Sequence, residues 1–125
     1  MEEKKIIEGR ELAIAAARLA DEKQAENVVV LDLTGISTVA DFFVLCTGTS
    51  TPHLKAICRE VDEGLSMDHG VEVRGREGVP ESQWLVLDYV DVIVHVLHRE
   101  QREHYALEDL WSDANQLETD FISAT

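Results

Sequence analysis

Five acidic and imidazole side chains in the second half of the chain are the first candidates for chemistry: Asp88, Asp91, His95, His98 and His104. Carboxylates and imidazoles ligate metal ions and transfer protons in catalysis. In a strand, Asp91 and His95 would share a face about 13 Å apart, and His98 would point to the other face. Because aspartate also bonds its own backbone in turns, the sequence favours structural turn carboxylates over a metal or acid–base site.

The turn formed by Gly48, Thr49 and Ser50 is a second candidate, because it joins a predicted strand to a predicted helix, where backbone N–H groups can hold a phosphate. Neither G-x-x-x-x-G-K-[ST] nor G-x-G-x-x-G is present, so a turn followed by a helix cap is the better interpretation. Cys46 lies in an apolar run typical of a core, and no G-x-S-x-G motif occurs, so nucleophilic catalysis is not indicated.

Large amphipathic side chains are also concentrated in this half: Trp84, Tyr89, Tyr105 and Trp111 are four of the seven aromatic residues. Such residues are enriched at the centres of protein interfaces, but they are also ordinary core material, and periodicity leaves both interpretations open. Charged residues around the last two aromatics are interpreted as the solvated face of a helix: Glu100, Arg102, Glu103, Glu108, Asp109 and Asp113.

Length and charge limit the classes of function. A chain of 125 residues with 45% hydrophobic residues predicts one domain. With 25 acidic against 11 basic side chains the net charge is -14, which repels phosphate backbones and favours a basic protein partner over nucleic acid. Two cysteines make no disulfide framework, no signal peptide is recognisable, and no apolar run approaches the roughly 20 residues of a membrane span. The sequence predicts a cytoplasmic protein.

The elements that must position these residues alternate between helix and strand. Residues 9–23 have helical spacing of apolar side chains, and residues 28–33 and 42–46 are continuous apolar runs typical of strands. Because neither run alternates with polar residues, we expect a sheet covered on both faces, in an α/β arrangement.

The remaining elements follow the same logic. A second helix begins after Gly48 and ends near Met67, before a His-Gly stop. A short strand is predicted at 71–74, a hairpin of strands at 84–87 and 92–97, and a last helix from Arg99 onward.

The order of motifs resembles one known family. The motifs are ADFFV at 40–44, TGTS at 47–50, AI at 56–57, EG at 77–78, WLVLDY at 84–89, DVIVHV at 91–96 and REHYALEDLW at 102–111. Together they resemble the ribosomal silencing factor family, also called the Iojap family, over about residues 10–114. We expect the family domain at 1–114. Residues 115–125 fall outside the pattern, and their composition predicts a polar tail.

The resemblance implies a single α/β domain with a mixed sheet of about five strands, similar to the nucleotidyltransferase fold but without its catalytic residues. It implies binding to the large ribosomal subunit through its fourteenth protein, steric blocking of small-subunit joining under nutrient limitation, and a homodimer in isolation, and it leaves direct contact with ribosomal RNA open. It implies no enzyme activity, cofactor, metal or small-molecule substrate. The partner-binding residues that it indicates are Trp84, Asp88, Tyr89, Asp91, His95, Tyr105 and Trp111.

One residue departs from the family pattern. Val90 occupies the glycine position of an Asp-Tyr-Gly-Asp turn, so the turn is either strained at a positive φ or of type I, which needs none. Two alternatives to translational repression remain: a large-subunit assembly factor, and a nucleotidyltransferase-like enzyme using the Gly48 turn for phosphate and Asp88 with Asp91 for magnesium.

Overall fold

The computed structural model describes residues 7–78, 80–105 and 114–117, with only the backbone given for Pro80, His104 and Tyr105. The elements in chain order are α1 (Gly9–Glu22), β1 (Glu26–Asp32), β2 (Phe42–Gly48), α2 (Thr51–His69), β3 (Gly75–Glu77), a 3-10 turn (Pro80–Ser82), β4 (Trp84–Asp88), β5 (Val92–His98), α3 (Arg99–Tyr105) and β6 (Asn115–Gln116). Both long helices, the first two strands and the hairpin lie where the sequence predicts them.

The six strands found among the described residues form one sheet in the order β3-β4-β5-β2-β1-β6. Its central pair, β2 and β5, is parallel, and every other neighbouring pair is antiparallel. This confirms the predicted mixed α/β sheet. The strand beyond the expected five is β6, whose two residues belong to the predicted polar tail and pair with β1.

One face of the sheet is covered by α1 and α2, whose buried side chains recur every three or four residues. The apolar stripe of α1 is rich in alanine, so this helix packs close to the sheet. The two helices also approach each other closely: a side-chain carbon added at Gly64 would lie 2.5 Å from Leu19. Glycine at this position therefore allows α2 to pack directly against α1.

The opposite face carries a second apolar cluster centred on β1 and β2. Leu33, Leu45 and Leu97 have no exposed surface there, and Phe43 is 9% exposed. Since every residue of β2 is buried, the expectation of a sheet covered on both faces is confirmed for this strand.

The strand predicted at 71–74 was wrong, because pairing with β4 begins only at Gly75. The helix α2 ends at Gly70 in the left-handed conformation (φ 66), and the Val71 N–H then bonds back to the Leu65 carbonyl at 3.1 Å. Ser66 also donates to Glu72 at 2.6 Å. These bonds hold residues 71–72 against the end of the helix, so the strand begins only at Gly75.

The prediction that Arg102 lies on a solvated face was also wrong. Its side chain is 8% exposed and donates to the Asn27 carbonyl at 2.6 Å and to the Thr47 hydroxyl at 3.0 Å. Asn27 lies where the β1–β2 register shifts, and its φ of 49 is left-handed. A bulge of this kind leaves a carbonyl outside the ladder, and Arg102 binds it.

Within the described part of the chain, no helix has both the length and the apolar character needed to cross a bilayer.

Candidate protein-docking face

The hairpin of β4 and β5 places several predicted partner-binding residues side by side. Val86 is opposite His95, and Asp88 is opposite Ile93. Trp84, two residues before Val86, projects from the same face of the strand. We call Trp84, Val86, Asp88, Ile93 and His95 the docking face.

The docking face is the part of this sheet surface that remains accessible. All five of its residues are partly exposed. On the same face, but nearer the other edge of the sheet, Leu31 is 5% exposed and Leu45 is fully buried. The apolar surface is therefore continuous from the buried core to a partly exposed patch around Trp84.

The indole of Trp84 is held in place by His95. Its Nε1–H donates to His95 Nδ1 at 3.1 Å, and the two ring centroids are 6.0 Å apart. Phe43 also contacts the imidazole edge-on, with centroids 4.7 Å apart. A tryptophan fixed in this way loses little side-chain entropy when it binds a partner, which favours an anchoring role.

The same bond fixes the protonation state of His95. Because indole N–H can only donate, Nδ1 must accept, and the imidazole hydrogen lies on Nε2. Nε2 is buried and has no hydrogen-bond partner among the described residues. Burial lowers the pKa of His95 to about 4, so the ring is neutral at physiological pH.

Asp88 is a turn carboxylate as well as a member of the docking face. One oxygen accepts the Val90 N–H at 2.8 Å, and the other pairs with Arg74. Burial raises the pKa of Asp88, but the bonds from Val90 and Arg74 outweigh it and hold the pKa below its usual value. The predicted Asx-type turn is confirmed at this carboxylate.

The turn itself is not of type I. The Asp91 N–H bonds to the Tyr89 carbonyl at 3.1 Å, and Val90 between them has a φ of 78. This is the geometry of a three-residue γ-turn, which is rare and strained. Of the two alternatives that the sequence left open, the strained turn is therefore the correct one, and a β-branched residue adopts a conformation suited to glycine.

Replacing Val90 by glycine is expected to raise the free energy of unfolding by about 1 kcal/mol. Release of a strain of about 1–3 kcal/mol exceeds the roughly 0.5–1 kcal/mol that glycine costs in chain entropy. Because Val90 is 53% exposed, little burial is lost. Chemical denaturation checks this, with Val39→Gly as control: Val39 is 68% exposed but has no positive φ, so its replacement should destabilise. Equal destabilisation by both changes would contradict the strain.

The other predicted partner-binding residues are distributed differently. Tyr89 is 4% exposed and belongs to the core beneath the helices; burial raises its pKa, and its hydroxyl has no partner among the described residues. Asp91 is partly exposed, and its carbonyl accepts the Asp41 and Phe42 N–H groups. The side chain of Tyr105, and Trp111 altogether, lie outside the described residues, so partner contacts at all of these positions stay predictions.

The candidate phosphate turn is used for helix capping. Ser50 Oγ accepts the His53 N–H at 3.2 Å, and His53 Nδ1 accepts the Thr49 N–H at 2.9 Å. The N–H groups that would face a phosphate are thus partly occupied, which confirms the cap interpretation. Cys46 is fully buried, and burial raises its pKa to about 12, as expected for a core thiol. Over residues 7–78, 80–105 and 114–117, no three His, Cys, Asp or Glu side chains are grouped as a metal site would require.

Sequence reasoning missed Val86 and Ile93 as members of the docking face. Their signal is present in the chain, because each lies two residues from a predicted partner-binding residue within a strand and so shares its face. Because both residues are apolar, they were interpreted as part of the core, like their buried neighbours.

Comparison with known proteins finds relatives that match most of the chain. The family model described as "Ribosomal silencing factor during starvation" matches residues 6–125. A protein of Bacillus subtilis named ribosomal silencing factor RsfS is 44% identical over 110 residues, covering 88% of this chain and 92% of its own. A mouse protein named mitochondrial assembly of ribosomal large subunit protein 1 is 28% identical over 99 residues, covering 75% of this chain and 42% of its own.

A crystal structure of a protein from Bacillus halodurans is similar in fold, with a TM-score of 0.75 and 37% identity over 89% of this chain and 100% of that one. The family match extends over nearly the whole chain, and the solved structure shares its fold. The chain therefore belongs to the ribosomal silencing factor family.

Proposed function

We propose that the protein binds the large ribosomal subunit through its docking face and represses translation by preventing the small subunit from joining. The observation that supports this most directly is the partly exposed apolar patch around Trp84, whose indole is held by a hydrogen bond to His95. A rigid aromatic anchor surrounded by apolar surface is typical of interface centres. No turnover is part of this function, which acts by occupying a surface in the cytoplasm.

The proposed partner is a basic protein, the fourteenth protein of the large subunit, as the family resemblance implies. The net charge of -14 favours such a partner, because opposite charges accelerate the encounter with a basic protein. Phosphate-rich surfaces, in contrast, repel an acidic protein. The same resemblance supports a homodimer in isolation.

Sedimentation with isolated subunits tests the proposal. The purified protein should pellet with the large subunit and not with the small one, and its addition should reduce the yield of joined ribosomes. Equal binding to both subunits, or to neither, would overturn the proposal.

Trp84→Ala should weaken binding to the large subunit about 30-fold, which corresponds to about 2 kcal/mol for the loss of a central anchor. Met67→Ala provides a control, because Met67 is 67% exposed on α2, across the sheet from the docking face. Circular dichroism of both variants separates lost docking from lost folding. If the Trp84 variant folds and binds like the wild type, the tryptophan is not an anchor.

A second candidate function is assembly of the large subunit, favoured by the name of the mouse relative. The same docking face would serve both functions, and the time of binding distinguishes them. Depletion of an assembly factor leaves immature large subunits, whereas depletion of a repressor leaves mature subunits that join during starvation.

A further inference from the structure

Three exposed apolar side chains lie at one end of the sheet. Ile36 is 46% exposed, Val39 68% and Val90 53%. Ile36 and Val39 belong to the loop between β1 and β2, and Val90 to the turn between β4 and β5. We call these three residues the sheet-end tip. Among the described residues, the remaining large apolar side chain of comparable exposure is Met67 on α2.

Backbone hydrogen bonds tie the two parts of the tip together. The Asp91 carbonyl accepts the N–H of Asp41 at 2.9 Å and that of Phe42 at 3.0 Å. Val39 is two residues from Asp41, and Val90 is next to Asp91. The loop before β2 and the turn before β5 are therefore joined at the base of the tip.

Carboxylates outnumber cations around the tip, although Arg74 pairs with Asp88 and Arg10 acts on Asp32. Asp41 is exposed and Asp91 partly exposed, and neither residues 32–41 nor residues 88–92 contain a lysine or arginine. A surface of apolar side chains beside carboxylates complements an apolar side chain flanked by cations. It repels the phosphates of RNA.

The conformation of Val90 gives an independent reason to assign a contact here. Its φ of 78 strains a β-branched residue, while its exposure of 53% means that the core gains little from the side chain. Glycine would satisfy the turn better. Nothing within the described fold accounts for a valine side chain at this position, and a contact with a partner would account for it.

We propose that the sheet-end tip binds an apolar side chain within a lysine- or arginine-rich protein segment of the large subunit. The tip adjoins the docking face, because Asp88 of that face accepts the Val90 N–H at 2.8 Å. The inference rests on the proposed function. It adds a second contact surface to the docking face, and this surface requires a cationic partner segment.

Binding to isolated large subunits, measured for matched variants at two salt concentrations, tests the inference. The double variant Val39→Ser with Val90→Gly should bind about tenfold more weakly, the loss expected for two truncated side chains that are covered on binding. Met67→Ser removes a side chain of equal exposure on the other side of the sheet and should bind like the wild type. Val90→Gly alone should bind less tightly although its turn is less strained.

Asp41→Asn isolates the charge requirement. It should lower affinity at low salt and reduce the dependence of affinity on salt, since one attraction to a cationic segment is removed. Higher affinity for this variant would indicate RNA at the tip and would overturn the inference.

The remaining outcomes separate the two proposals. If wild type and the double variant bind equally, the tip makes no contact and the inference fails while the proposed function stands. If the wild type does not bind the large subunit, the proposed function fails and the inference falls with it.

Discussion

Replacing Arg102 by alanine is expected to lower the free energy of unfolding by about 3 kcal/mol. The side chain is 8% exposed and donates to the Asn27 carbonyl and the Thr47 hydroxyl, which join α3 to β1 and β2. Without it both acceptors remain in the interior with fewer donors, and the packing of its aliphatic stem is lost. Chemical denaturation of the two proteins measures the difference.

Arg99 provides a matched control on the same helix. It pairs with Glu26 at 3.1 Å, but its side chain is 62% exposed, so Arg99→Ala should cost less than about 1 kcal/mol. Similar losses for the two variants would show that Arg102 is only a surface residue. A near-normal Arg102→Lys variant would mean that positive charge suffices and that the guanidinium fork is not required.

Acidification from pH 7 to pH 4 is expected to cost the fold about 3 kcal/mol through His95 alone. Burial lowers its pKa from 6.5 to about 4 in the native state. Between these values the unfolded chain takes up a proton that the native chain refuses, so stability falls as pH falls. Protonation of Nδ1 would also break the bond from the Trp84 indole, which only donates.

His95→Gln isolates this contribution, because an amide oxygen can still accept from the indole but does not titrate. The stability difference between wild type and variant, measured by denaturation at several pH values, should shift by up to about 3 kcal/mol between pH 6.5 and 4. Asp32 and Asp88 act in a lower window: their native pKa values are lowered, so the stability they add is lost only below about pH 4. Parallel curves for the two proteins would refute the assignment to His95.

The local sequence pattern was enough to predict most of the fold, because each long helix or strand carries its own signal in the sequence. Continuous apolar runs in β1 and β2 predicted burial on both faces. Every residue of β2 is buried, whereas β1 is buried only in part. The start of α2 was equally visible, since Ser50 and Pro52 are the residue types that begin helices. These signals lie within a few residues of what they determine.

Features that depend on distant residues were not visible. Arg102 appeared solvated because its acceptor is a carbonyl released by a bulge 75 residues earlier. Tyr89 was grouped with Trp84 as a partner-binding residue, yet the hairpin register turns it to the helix-covered face. At Val90 the sequence predicted either a strained turn with a positive φ or a turn of type I. The backbone φ of 78 shows that the strained turn forms.

Both edge strands of the described sheet are very short, and this affects when the edge of β1 is protected during synthesis. The outer edge of β1 contains the apolar run Val28 to Leu31, a ready template for pairing with another chain. Among the described residues, β6 and the bond from the Leu117 N–H to the Val30 carbonyl occupy this edge, and the bulge at Asn27 interrupts it. Because β6 is formed by residues 115–116, the cover that it gives to the edge of β1 forms only after those residues have left the ribosome.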